Sequence, residues 1–98
     1  MTHNELVQQS EQYLRQLLSE MLPPGTPVYL FGSRSRGDAG FASDFDILLG
    51  GDVPDMLIPK LHDKIDDSFI PFKVDLAKES AISGAFAQQV LKDRHKWM

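Results

Sequence analysis

The sequence contains no cysteine, no excess of positive charge and no long apolar run, and each absence excludes a class of protein. Without cysteine there is no disulfide framework, thiolate metal site or cysteine nucleophile, which fits a reducing cytoplasm. The formal net charge of −4 gives no general attraction to nucleic-acid phosphates. No apolar segment is long enough to cross a bilayer, and the first ten residues do not resemble a secretory signal. We therefore expect a cytoplasmic protein that binds neither membranes nor nucleic acid.

The length predicts one domain over residues 1–98. A chain this short buries only about 60% of the surface that its unfolded form exposes, so its core is modest. We expect such a core to gain from a partner that covers it, in an oligomer or a hetero-complex. The lone tryptophan, Trp97, is expected to be a packing residue or a contact residue of such an interface.

Alternating helix and strand signals predict an α/β fold, with helices packed on a small mixed sheet. Apolar residues spaced by three and four predict a helix over 4–22, ended by Pro23 and Pro24. Short runs of β-forming residues predict three strands, at 28–31, 45–49 and 72–77. One further short strand is compatible with the pattern.

Two more helices are predicted after the second strand. The first carries an apolar face, although Pro54 and Pro59 cannot both lie in its first turn. The second is expected to begin near Ser80 as its N-cap. The apolar residues of these two faces are Leu57, Ile58, Leu61 and Ile65, then Ile82, Phe86, Val90 and Leu91.

Three aspartates lie in or beside predicted apolar strands, where burial of an ionised carboxylate costs free energy. Asp44 and Asp46 are two residues apart at the start of the second strand, so their side chains share one face, about 6.5 Å apart along the chain. Asp75 lies inside the third strand. If these strands are adjacent, one face carries all three carboxylates, which repel one another unless a cation compensates them. Carboxylates with substrate phosphate and water suit Mg²⁺, and two such ions are expected here.

A glycine-containing turn precedes the aspartates, at 31–37. Gly32 directly after a strand lets backbone amides approach a phosphate, and a helical turn beginning near Ser33 directs N–H groups at it. Arg34 or Arg36 adds positive charge. Ten residues join this turn to Asp44, so one segment can hold a triphosphate and the metal ions that bridge it.

The sequence resembles the minimal nucleotidyltransferases of the DNA polymerase β-like superfamily in two motifs and one further aspartate. The motifs are Gly-Ser-x-x-Arg-Gly at 32–37 and Ser-Asp-x-Asp-Ile at 43–47, and the third aspartate is at 75. The resemblance implies transfer of a nucleoside monophosphate, with ATP as donor, to an acceptor hydroxyl on a partner HEPN-domain toxin. It also implies that the chain is the antitoxin of the pair. Asp44, Asp46 and Asp75 would bind the metals, and Gly32, Ser33, Arg36 and Ser43 the nucleotide. The extra helical domain of larger relatives has no counterpart in this sequence.

Single residues leave alternatives open. Asp75 can instead be a solvent-facing residue of an edge strand. Arg36 can bind phosphate, or it can pair with Asp38 or Asp44. Ser43 can touch substrate, or it can shape the turn before Asp44. Arg34 can be an exposed loop residue without a role.

Two other functions compete with protein modification. The chain can be a non-catalytic subunit that neutralises its HEPN partner, although three intact carboxylates argue against this. It can also be a transferase of the antibiotic-modifying type. The negative charge and the missing second domain count against that reading.

Overall fold

The computed structural model describes residues 1–37, 39–40 and 43–98. Four helices and four strands follow one another in these ranges, and a single 3₁₀ turn at Glu79–Ala81 lies between the third strand and the last helix. The elements in chain order are α1 His3–Met21, β1 Val28–Phe31, α2 Ser33–Arg36, β2 Phe45–Leu49, α3 Leu57–Asp66, β3 Val74–Lys78, α4 Gly84–Asp93 and β4 His95–Lys96.

The four strands form one mixed sheet in the order β3-β2-β1-β4. β1 pairs antiparallel with both β2 and β4, and β2 pairs parallel with β3. The second and third predicted strands are therefore adjacent, so one face of the sheet can carry carboxylates from both. The expected mixed sheet is confirmed, and β4 is the additional short strand.

Alternation along the strands divides the apolar residues between two faces of the sheet. Helices α1 and α3 cover one face, where the main core lies around Leu14, Phe45 and Leu61. The opposite face carries a smaller cluster, in which Phe31 and Leu48 pack against Val90 of α4. Asp46 alternates with Phe45 and Ile47, so its carboxylate lies on the side of the smaller cluster.

The helix and strand boundaries follow the sequence signals with two local differences. Pairing of β3 begins at Val74 because β2 begins at its partner Phe45. The two residues before Val74, predicted as strand, thus lead into the sheet without belonging to it. Pro54 and Pro59 do not share the first turn of α3, because Pro54 precedes the helix. Its carbonyl accepts a hydrogen bond from Leu57 N–H at 3.0 Å.

The expected start of the last helix is wrong. Ser80 lies in the 3₁₀ turn, and Ser83 occupies the N-cap position of α4. Gly84 follows with φ of 66°, a conformation that glycine adopts readily. Of the four apolar residues expected on this helix, Val90 is buried, whereas Phe86 and Leu91 are each about half exposed. Ile82 precedes the helix.

Trp97 is a core residue, which confirms packing, the first of its two expected roles, over an interface contact. Its backbone N–H donates to Val28 O at 2.8 Å, and only 8% of the residue is exposed. Its ring packs 6.5 Å from that of Phe45, with the guanidinium of Arg15 over its outer side at 4.9 Å. Addition of β4 to the sheet therefore carries the tryptophan into the main core. Within the described ranges, no helix combines the length and apolar character of a membrane span.

Candidate active site

Two of the three predicted aspartates lie side by side on the sheet. Asp46 of β2 pairs in register with Asp75 of β3 and, on its other side, with Phe31 of β1. Asp75 lies on an edge strand, as one alternative proposed, but it faces Asp46, and its side chain is 48% exposed. Lys73 is a cationic neighbour of Asp75, with its Nζ 3.8 Å from Asp75 Oδ1.

The carboxyl group of Asp46 is electrostatically unfavourable in this position. Partial burial raises its pKa, and the charges of Asp75 and Asp44 raise it further. A hydrogen bond between Asp46 and Asp75 acts in the same direction, whereas Lys73 opposes it. The ionised carboxylate is therefore disfavoured here, and a proton or a nearby cation would offset its charge.

A cleft opens over these carboxylates, between the sheet and α4. It encloses about 390 Å³. Gly32, Arg36, Asp46 and Asp75 lie along one side, and Phe86 and Gln89 along the other. A cavity of similar size, about 380 Å³, lies between α1 and α3, where Glu20 and Lys64 supply the charges. Of these two cavities in the described part of the chain, the 390 Å³ cleft is the one that brings aspartates together with the glycine turn.

Gly32 lies in van der Waals contact with Asp46. Its φ of 76° is in the left-handed region, and a Cβ built on it would overlap Asp46 Oδ2 and lie 3.2 Å from Cγ. The helical turn expected near Ser33 is present as α2. The carbonyl of Gly32 begins this turn and accepts hydrogen bonds from the backbone N–H groups of Ser35 and Arg36. Glycine is therefore required at this position, both by the backbone conformation and by the closeness of the carboxylate.

Arg36 lines the cleft and has an acidic partner that the sequence did not indicate. Its Nη1 lies 2.7 Å from Asp93 Oδ2 of α4. The backbone carbonyl of Asp93 also accepts a short hydrogen bond from Ser35 Oγ. A hydrogen bond from Gln89, and then the contact with Arg36, lower the pKa of Asp93. These contacts join α2 to the end of α4, and the expected pairing with Asp38 lies outside the described residues.

Ser43 makes the turn-shaping contact that one alternative described. Its Oγ accepts from Gly40 N–H at 2.7 Å, and its own N–H donates to Gly40 O at 3.3 Å. Ser33, Ser43 and Asp44 are not among the residues that line the cleft in the described part of the chain. Their predicted contacts with nucleotide or metal therefore stay predictions.

Arg34 is the residue whose role sequence reasoning missed. Its Nε and Nη2 both donate to Ser43 O, at 3.1 and 2.6 Å. Its guanidinium lies over the rings of Phe45 and Phe72, at 4.4 and 4.8 Å from their centroids. Arg34 therefore makes specific contacts and is not an exposed loop residue without a role. No local sequence signal could reveal this, because its ring partners are distant in the sequence and meet it only through strand pairing.

The carboxylates fit a divalent cation by their chemistry. Asp46 and Asp75 present hard oxygen ligands at one point of the sheet, where burial and then the charges of Asp75 and Asp44 raise the pKa of Asp46. Within residues 1–37, 39–40 and 43–98, no three acidic, histidine or cysteine side chains are already gathered as metal ligands. Side-chain rotation or substrate phosphate must complete such a shell.

Clustered carboxylates beside a glycine turn, on a mixed sheet covered by helices, define a class of enzymes that handle nucleoside triphosphates. The family model described as "Nucleotidyltransferase domain" matches residues 11–97. The chain therefore belongs to the nucleotidyltransferase domain family. A search among curated proteins found no match.

Solved structures agree with this family and with its minimal branch. A chain from a toxin–antitoxin crystal structure with AMP-PNP aligns with a TM-score of 0.72 and 29% identity, over 89% of this chain and 72% of that one. A chain from the tri-AMPylated HEPN toxin of Shewanella oneidensis in complex with MNT antitoxin aligns at 0.66 and 26%, over 92% and 71%. A minimal nucleotidyltransferase aligns at 0.69 over 97% and 95%, and at 22% identity it shows the fold alone.

Proposed function

We propose that this chain transfers AMP from ATP to a hydroxyl group on a HEPN toxin and thereby acts as the antitoxin of the pair. The observation that carries the proposal is the pairing of Asp46 with Asp75 beside the Gly32 turn, in one cleft. Similarity to chains of an AMP-PNP complex and of an AMPylated toxin complex supports ATP as donor and a protein as acceptor. A cytoplasmic location, where ATP is available, and action of residues 1–98 as one domain are parts of the same proposal.

The aspartates have separate tasks in this proposal. Asp44 and Asp46 would hold Mg²⁺, and Asp75 would help to hold the metal ion that acts on the acceptor. Bound Mg²⁺ would neutralise phosphate charge and make the acceptor hydroxyl more acidic. The close contact of Gly32 with Asp46 supports this arrangement, because it brings the phosphate-binding backbone next to the carboxylates.

The transfer is an in-line displacement at the α-phosphorus. The acceptor oxygen forms the new bond to the α-phosphorus while the bond to the bridging oxygen of the leaving pyrophosphate breaks. Asp75 would accept the hydroxyl proton at a carboxylate oxygen, since its half-exposed side chain faces the cleft. Arg36 would meet the phosphate charge, in exchange for or in addition to its contact with Asp93.

Ser33→Ala should weaken ATP binding. Ser33 begins α2 directly after Gly32, so its hydroxyl is a candidate donor to a phosphate oxygen. One hydrogen bond to a charged oxygen is worth about 1.5–3 kcal/mol, so the affinity should fall about tenfold or more. Calorimetric titration with ATP and Mg²⁺ measures this. Ser19→Ala, on the solvent side of α1, is a control that should leave the affinity unchanged; equal affinity in both variants would remove Ser33 from the site.

The proposed acceptor is tested by mass spectrometry of a HEPN toxin encoded beside this chain. With this chain, Mg²⁺ and ATP, the intact mass of the toxin should rise by one or more adenylyl groups. An unchanged toxin mass with full loss of toxicity would instead assign the chain a purely neutralising role. Adenylylation of small hydroxyl compounds without any toxin would point to the antibiotic-modifying type.

A further inference from the structure

The segment that joins the glycine turn to the carboxylates is anchored at its far end by one side chain, that of Arg34. This guanidinium donates two hydrogen bonds to the same oxygen, the backbone carbonyl of Ser43. That carbonyl belongs to the peptide group that leads directly into Asp44. The contact therefore joins two residues that are nine apart in the sequence. The carbonyl carbon of Ser43 is bonded directly to the backbone nitrogen of Asp44, the first candidate metal ligand.

Two aromatic rings hold the guanidinium in the required orientation. Phe45 and Phe72 lie 4.4 and 4.8 Å from it, and their own rings contact each other edge to face at 5.6 Å. Arginine is suited to this position because its planar fork can stack on aromatic rings and still donate two hydrogen bonds. Phe45 is fully buried in the main core, so the orientation of Arg34 is tied to a rigid part of the fold.

Asp44 is thus fixed at both of its peptide groups. Arg34 holds the Ser43 carbonyl on one side, and on the other the N–H of Phe45 donates to Lys73 O at 2.9 Å. The second contact continues the pairing of β2 with β3, whereas the first has no counterpart in the sheet. Removing Arg34 would leave the strand pairing in place, while it frees the peptide group before Asp44 and removes the stacking on Phe45 and Phe72.

We infer that Arg34 is a positioning residue, which acts through the Ser43 carbonyl to direct the Asp44 carboxylate toward Asp46 and the metal site. The inference rests on the proposed function, because Asp44 matters only if it binds metal there. Arg34 does not contact phosphate in this account, although its position next to Gly32 and Ser33 suggested that role from the sequence.

Arg34→Lys separates positioning from charge. Lysine keeps the positive charge but cannot form the two-pronged contact with Ser43 O. We expect ATP affinity measured in EDTA to stay at the wild-type value, while the gain in affinity on adding Mg²⁺ is lost. We also expect kcat for transfer to fall about tenfold or more, since a misplacement of about 1 Å can cost on the order of a hundredfold. KM for ATP in the presence of Mg²⁺ should rise, because the Mg²⁺-dependent part of the affinity is lost. Arg34→Gln, which lacks the charge, should behave like Arg34→Lys.

Arg15→Lys is the matched control, because Arg15 also stacks on an aromatic ring but lies over Trp97, away from the cleft. It should retain the Mg²⁺-dependent gain and kcat. Lower ATP affinity in EDTA for Arg34→Gln, with rescue by Arg34→Lys, would overturn the inference in favour of a phosphate contact. The inference would also be overturned if both Arg34 variants kept the wild-type gain in ATP affinity on adding Mg²⁺, or if both unfolded. Absence of the gain in the wild-type chain itself would instead contradict the proposed function.

Discussion

Asp46→Asn should abolish AMP transfer and at the same time raise the melting temperature of the ligand-free protein. Burial, then Asp75 and Asp44, raise the pKa of Asp46 above its ordinary value. The folded protein therefore binds this proton more tightly than the unfolded chain does. The resulting stabilisation is complete only below the unfolded pKa and is lost as pH rises through the folded one. At neutral pH the ionised carboxylate destabilises the fold, and asparagine removes that cost.

The same substitution removes a proposed direct ligand of Mg²⁺. Substituting outer partners of metal ligands typically costs about 10–100-fold, so losing a ligand should lower transfer at least a hundredfold. Asp66→Asn, on the exposed side of α3, is the control for loss of one negative charge and should leave transfer unchanged. Differential scanning fluorimetry and a transfer assay on the same samples measure both effects. A lower melting temperature for Asp46→Asn would show that the carboxylate stabilises the empty fold.

Gly32→Ala should damage both stability and the site, whereas Gly25→Ala should affect stability alone. Both glycines have φ near 80°, and Gly32 combines it with ψ of −157°, a region almost confined to glycine, where an L-residue costs about 1–3 kcal/mol. Each kcal/mol lowers the melting temperature of a chain of this size by about 4–8 °C. A Cβ at Gly25 meets open space, but one at Gly32 overlaps Asp46 Oδ2. The Gly32 variant must therefore displace the carboxylate as well.

The pair of glycine variants separates damage to the site from the general cost of a side chain at positive φ. Gly32→Ala should lose more stability than Gly25→Ala, together with the affinity gained when Mg²⁺ is added with ATP. Gly25→Ala should retain that gain in full. Melting curves and calorimetric titrations at a temperature where both variants are folded provide the comparison. If Gly32→Ala keeps wild-type coupling between Mg²⁺ and ATP, the backbone of Gly32 is not part of the phosphate site.

Sequence periodicity was sufficient for the parts of this fold that depend on local patterns. β1 and β2 have the predicted bounds, because each is a short run of β-forming residues with a glycine beside it. The spacing of Asp44 and Asp46 and an apolar strand around Asp75 predicted a shared acidic face. Parallel pairing of β2 with β3 then brings Asp46 and Asp75 into register.

The features that sequence reasoning missed depend on contacts between distant residues. Trp97 reaches the core only because β4 adds to the far edge of β1. Asp93 meets Ser35 and Arg36 only because α4 packs over the face that carries the aspartates. The role of Arg34 requires two phenylalanines from different parts of the chain to meet. None of these pairings leaves a periodic or local signal.

The most direct test of AMP transfer is the position of the label that a HEPN toxin acquires. The toxin is incubated with this chain and Mg²⁺, in parallel with ATP labelled at the α-phosphorus and ATP labelled at the γ-phosphorus, and with the Asp46→Asn variant as the blank. Attack at the α-phosphorus predicts a labelled toxin from the first ATP only, with labelled pyrophosphate released from the second. Label from γ-labelled ATP in the toxin would show phosphoryl transfer instead, and an unlabelled toxin in both reactions would contradict catalysis by this chain.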